Sequence, residues 1–187
     1  MPDATNLTAV LFGLRGCLVR PHDGEPSLAP GALDSLGALH RQQVPCIWID
    51  ELDSAEAARL AAMLPDWLPG QALQAPSWPA PDACWQALMS LGSPRLEGCV
   101  LVSGEPRQLL SGLNAGLWTV GLATCSPACD LASLGWQSMS QQDRDLLRSK
   151  ATLALFDLGV HSVIDHLEDL DTCLADISRR RQKGEKP

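Results

Sequence analysis

The chain has no tyrosine, two phenylalanines and, at Lys150, Lys183 and Lys186, only three lysines in 187 residues. It also lacks an apolar run of the ~18 residues that a membrane-spanning helix requires, and Met1 to Thr8 carries no cationic stretch leading into an apolar one. A spanning helix and a secretory leader are therefore not expected, and a soluble, cytoplasmic protein is. Cations are scarce overall: 14 Lys and Arg stand against 22 Asp and Glu, for a net charge of −8. Phosphate backbones and anionic lipid surfaces are gripped by clustered Lys and Arg, so neither nucleic acid nor membrane is an expected partner. The one basic run, Arg179-Arg180-Arg181-Gln182-Lys183, reads as part of a solvated, disordered tail over 179–187. No internal repeat or low-complexity segment interrupts the chain.

The residues that are present describe an ordinary globular chain. Hydrophobic residues make up 45% and charged residues 19%, so disorder is excluded, and the length suits a single domain over 1–187. The seven cysteines (Cys17, Cys46, Cys84, Cys99, Cys125, Cys129 and Cys173) are an odd number set mostly in apolar strings, the pattern of buried free thiols in a reducing compartment. Cys125-x3-Cys129 has the look of half a metal site, but no second Cys or His pair stands at ligand spacing nearby, so zinc is not expected.

Short apolar runs alternate with amphipathic stretches, the signature of an α/β fold with a mostly parallel sheet. Strands are predicted at 8–14, 45–50, 98–103 and 117–122, with a weaker one at 162–164. The first four are almost continuously hydrophobic, as strands covered on both faces should be. Helices are predicted at 30–42, 54–64, 80–91, 106–115, 140–158 and 167–181, with Ser54 as the N-cap of the second. Pro30, Pro79, Pro81 and Pro106 stand at or near helix starts, where a missing N–H costs least. Residues 64–79 read as an irregular connector rich in Pro and Trp, and 124–140 as a surface loop.

Four ordered segments carry a family likeness. Ala9 through Val19 is an apolar strand entering a turn. Pro79-Ala80-Pro81 is followed by Leu91-Gly92. Gly98-Cys99-Val100-Leu101-Val102 leads to Gly112-Leu113-Asn114-Ala115-Gly116-Leu117-Trp118-Thr119-Val120-Gly121. Last come Leu158-Gly159-Val160-His161-Ser162-Val163-Ile164-Asp165 and Leu167 to Leu170. Together they resemble the haloacid dehalogenase (HAD) superfamily, in particular its phosphonoacetaldehyde hydrolase branch. The resemblance implies a three-layer Rossmannoid core. The short stretch between the first strand and the first helix implies that this core is capless.

In that family an aspartate at the end of the first strand forms a phosphoryl intermediate with the help of Mg²⁺. Aligned on its motifs, this chain places Gly13 at the nucleophile and Arg15 two positions on, where the branch usually has Ala. Asp50-Glu51 falls at the phosphate-binding Ser or Thr, Trp78 at the cationic clamp, and Gly104 at the metal-binding aspartate, with Glu105 one residue displaced. The lysine that activates phosphonoacetaldehyde as an imine has no counterpart, because all three lysines follow the core motifs. The expectation is thus a HAD-like pseudoenzyme with no catalytic residues and no cofactor, acting as a binding or regulatory module. The alternative is a weakly active capless phosphatase that uses Mg²⁺ with Asp50 and Glu105 as relocated acids.

Other groups leave two readings open. Cys17 is a nucleophile at the turn or a small packed hydrophobe. Arg15 and Arg20 form an anion site or surface salt bridges. Trp67, Trp78 and Trp85 fill the vacated site or make a patch for a protein partner, including a second copy in a homodimer. His22, His40, His161 and His166 read as structural or solvated.

Overall fold

The computed structural model describes residues 7–20, 26–73, 77–125 and 139–187. In chain order the elements begin with β1 (Ala9–Gly13), β2 (Val19–Arg20), β3 (Ser27–Leu28), α1 (Ala32–Arg41), β4 (Cys46–Asp50), α2 (Ser54–Ala61) and β5 (Gly70–Ala72). They continue with α3 (Asp82–Ser90), β6 (Cys99–Ser103), α4 (Pro106–Asn114), β7 (Trp118–Leu122), α5 (Gln141–Asp157), β8 (Ser162–Ile164) and α6 (Leu170–Gln182).

Six strands form one sheet in the order β5-β4-β1-β6-β7-β8, every pair parallel. All residues of β1, β4, β6 and β7 are buried. Their alternate side chains feed two separate cores. Val10, Phe12, Trp48, Val100, Val102 and Val120 pack with residues of α1, α2 and α6 on one face. Ala9, Leu11, Ile47, Ile49, Cys99 and Leu101 pack on the other face, which α3 covers with Cys84, Ala87 and Leu88. Helices α4 and α5 extend that second layer through Leu109, Ala151 and Leu155. The three-layer α/β core expected from the sequence is the observed fold. Between β1 and α1, the described residues form the two-rung antiparallel pair β2–β3.

Four local expectations are corrected. The connector 64–79 contains a strand, β5, which extends the sheet beyond β4 in register with Trp48, Ile49 and Asp50. Gly70 is required there because the Trp48 indole lies over it and leaves no room for a Cβ. The cap of α2 is Asp53, whose carboxylate accepts from the N–H groups of Ala55 and Glu56 at 2.9 Å each, rather than Ser54. Residues 167–169 form a separate 3₁₀ turn before α6. Finally, residues 179–182 are the last turn of α6, not part of a tail. Three arginines favour that position at the negative end of the helix dipole. Arg180 also lies 4.8 Å over the Trp118 ring, donates to the carbonyl of His161 at 3.0 Å and pairs with Glu185 at 2.8 Å. Residues 126–138, including Cys129 and most of the expected loop, and residues 21–25, including His22, lie outside the described residues.

His161 ties the same region together. Its Nδ1 accepts the Thr119 N–H at 3.0 Å, and its ring tilts against Trp118 with centroids 4.8 Å apart. Burial, then the nearby Arg180 charge, lowers its pKa from the usual imidazole range. Below a pH of about 6.5 the unfolded chain takes up a proton that the folded chain resists, so this residue's contribution to stability is present above that pH and lost as pH falls. Asp50, whose pKa is raised by burial, acts with the opposite sign at lower pH. The comparison must therefore be made between variant and wild type. The expected outcome is a wild-type thermal midpoint that drops between pH 7 and pH 5 by more than that of His161→Gln, followed by circular dichroism. Parallel curves would show that His161 does not carry the drop.

Candidate functional site

Parallel α/β sheets place their sites at the carboxyl ends of the strands, and three such ends converge here: Gly13 of β1, Asp50 of β4 and Ser103 of β6. The ends are knitted together by one side chain. Gln108, on the buried face of α4, is 1% exposed. Its Oε1 accepts from the Ser103 hydroxyl at 2.5 Å, and its Nε2 donates to the carbonyl of Ile49 at 2.9 Å. A Cβ added at Gly13 would lie 2.6 Å from that Oε1 and 3.0 Å from Ser103 Oγ. The space beside Gly13 thus belongs to a satisfied, buried amide.

The space beside Gly104 is filled by backbone. A Cβ at Gly104 would lie 2.5 Å from the Cys125 carbonyl oxygen and 2.6 Å from its carbon. Cys125 ends the 3₁₀ turn Ala123–Cys125 that follows β7, so that turn is folded into the sheet's carboxyl edge.

Each acid at this edge has internal partners. Asp50, 2% exposed, accepts the Arg15 backbone N–H at 2.6 Å and lies 3.6 Å from the Arg15 guanidinium. Burial pushes its carboxyl up, the bonds with Arg15 oppose that, and the Glu105 charge adds to it. Glu51 accepts the N–H groups of Ser77 at 2.5 Å and Trp78 at 2.7 Å, and its other oxygen is 3.6 Å from Arg107. Arg107 also donates to the Trp78 carbonyl. Glu105 caps α4 by accepting the Arg107 N–H at 3.1 Å. Trp78, which the resemblance aligns with the cationic clamp, is buried.

A hard divalent cation needs several oxygen ligands that are free to turn toward it. Gly13 and Gly104 supply no carboxylate, and Asp50, Glu51 and Glu105 are spent on backbone N–H groups and arginines. The residues present do not fit Mg²⁺. No group of three potential metal-binding side chains occurs among the described residues.

The remaining candidates are dispersed. Cys17 is fully buried, its thiol 3.4 Å from the Val102 carbonyl, and burial pushes its pKa well up, as befits a packed hydrophobe. Arg20 donates to Thr124 Oγ1 at 3.2 Å rather than joining Arg15. Trp67 stacks on His40 of α1 with centroids 4.1 Å apart, whereas Trp85 stands on α3, across the sheet. Those two tryptophans and Trp78 therefore make no common patch. His166 Nδ1 lies 3.3 Å from Thr124 Oγ1. Sequence reading missed Gln108, Ser103 and Arg107. The available signal was a polar Gln108 on the same helical face as Leu109 and Gly112, since a buried amide implies a specific partner.

The two filled glycines differ in what an added side chain would displace. Gly104→Ala must move backbone and is expected to cost on the order of 3 kcal/mol. Gly13→Ala meets the end of a side chain, and its cost is expected nearer 1–2 kcal/mol, that of disturbing one buried hydrogen bond. Urea denaturation should order the midpoints wild type, Gly13→Ala, Gly104→Ala. The reverse order for the two variants would contradict the packing described.

Comparison with known proteins gives the chain its place. No family model matches it. A phosphonoacetaldehyde hydrolase of Salmonella paratyphi C (strain RKS4594) is 31% identical over 166 residues, which cover 84% of this chain and 61% of that one. The chain thus spans about three-fifths of the length of such relatives. A solved structure 53% identical in sequence superposes with a TM-score of 0.90 and covers 97% of this chain and 100% of the other. A phosphonoacetaldehyde hydrolase-like protein from Oleispira antarctica is 28% identical with a TM-score of 0.78, over 86% of this chain and 60% of that one. A HAD family hydrolase from Deinococcus radiodurans R1 shares the fold at 20% identity, with a TM-score of 0.66 and coverage of 94% and 97%. Motif order, sheet topology and the phosphonoacetaldehyde hydrolase relatives agree that the chain belongs to the HAD superfamily, in its phosphonoacetaldehyde hydrolase-like branch.

Proposed function

We propose that this protein has given up phosphoryl transfer and serves as a binding or regulatory module. One packing observation carries the reading: at Gly13 and Gly104, the positions that the resemblance aligns with the family's aspartates, the side-chain space is occupied by the Gln108 amide and by the Cys125 backbone. A merely missing carboxylate leaves a cavity that water or a relocated acid can use. A filled one does not. The poor fit to Mg²⁺ and the absence of lysine before Lys150 support the same reading. On this reading the module's ligand is a protein, either a different chain or a second copy of this one. The six free cysteines among the described residues are in keeping with a cytoplasmic location.

The rival, a capless phosphatase using Mg²⁺ with relocated acids, draws support from the gathering of Asp50 and Glu105 at the carboxyl edge. For Asp50 to serve, it would have to leave the Arg15 N–H.

Purified protein should be assayed with millimolar Mg²⁺ against phosphonoacetaldehyde and p-nitrophenyl phosphate, beside a mock purification. The expected outcome is no turnover above the mock with either substrate. Mg²⁺-dependent turnover that is lost in Asp50→Asn or Glu105→Gln would establish the rival.

A further inference from the structure

Cys17 was singled out by its place in the turn after β1, and packed burial does not exhaust its surroundings. Cys125 reaches the same spot from the far side of β6. The sheet order puts β6 between β1 and β7, so the turns that follow β1 and β7 meet over its end. The Cys17 thiol lies against the Val102 carbonyl at 3.4 Å. Two residues on, a Cβ at Gly104 would lie 2.7 Å from the Cys125 Cβ. The Cys125 carbonyl in turn lies 3.4 Å from where Gly16, the neighbour of Cys17, would carry a Cβ. Both side chains belong to the same apolar cluster, Cys17 inside it and Cys125 packed on its border. Other cysteines are engaged elsewhere: Cys84 with Ser111, Cys99 with the Arg95 carbonyl, and Cys46 with the Val44 carbonyl.

We propose that Cys17 and Cys125 are a thiol pair that closes to a disulfide when the protein meets a low-molecular-weight disulfide such as oxidised glutathione. Cys125, partly exposed where Cys17 is fully buried, reacts first. Its thiolate attacks one sulfur of the small disulfide, forming a mixed disulfide and expelling one small thiolate, which takes up a proton. Cys17 then loses its proton to solvent and attacks the Cys125 sulfur, expelling the second small thiolate. Two protein thiols are oxidised, and one small disulfide is reduced to two thiols. The second step is the slow one, since burial pushes the Cys17 thiol up. The bond would staple the turn after β7 to the turn after β1 across Gly104.

The whole, folded protein is incubated with excess oxidised glutathione, its remaining thiols are alkylated, and it is digested without reductant for mass spectrometry. The expected result is a Cys17–Cys125 linked peptide that disappears with dithiothreitol, two fewer alkylatable thiols, an unchanged circular dichroism spectrum and a higher thermal midpoint. The link should be absent in Cys125→Ser and in Cys17→Ala. Cys125 recovered only as its glutathione adduct, Cys125 linked to Cys129, two free thiols, or a link accompanied by loss of the native spectrum would each overturn the proposal.

Discussion

The amide of Gln108 is the constraint from which the rest of the site follows. A side-chain amide buried this deeply must satisfy both its donor and its acceptor or destabilise the fold by the full desolvation of the unmet group. It does so with one bond to the hydroxyl that ends β6 and one to a carbonyl near the end of β4, and its oxygen crowds the end of β1. Those contacts fix the azimuth and depth of α4. With α4 fixed, Glu105 caps it, and Arg107 is carried to a point from which it reaches both Glu51 and the Trp78 carbonyl. The loop that begins α3 is thereby tied to the sheet through a chain of bonds starting at one glutamine.

The acids at the sheet edge illustrate how unequal such bonds are. Arg15 and Arg107 are each about half exposed, so their Coulombic attraction to Asp50 and Glu51 is screened and contributes little to stability. The backbone N–H groups of Arg15, Ser77 and Trp78 are fixed donors at short distance, and charge-assisted bonds of that kind are the stronger ones. Asp50 and Glu51 thus act mainly as loop organisers. The hydrogen bonds of these loops are taken up by carboxylates of the chain itself.

Much of the fold was legible because burial on both faces leaves a plain trace. The runs that became β1, β4, β6 and β7 are almost uninterrupted in hydrophobicity, and their boundaries fell within a residue of those predicted. Strand β5 left no such trace, being Gly-Gln-Ala and defined by what lies over Gly70 and beside it in β4. Asp53 and Ser54 are both good caps, so the choice between them was settled by backbone geometry rather than residue type. The last turn of α6 depends on Trp118, some sixty residues earlier in the chain, a partner that no local pattern reveals. At the site, family resemblance drew attention to Gly13 and Gly104. What now fills them could not be read, because it depends on the rotation of α4 and on the path of the turn after β7.

Occupied glycines also bear on how this protein can change over generations. An ancestor or descendant with open space beside Gly13 and Gly104 could exchange glycine and aspartate freely by single substitutions. Once an amide and a backbone turn have settled into that space, either aspartate arrives in a crowded position and lowers stability before it confers any chemistry. The packing therefore sets a steric cost on either exchange, from a buried amide at Gly13 and from backbone at Gly104.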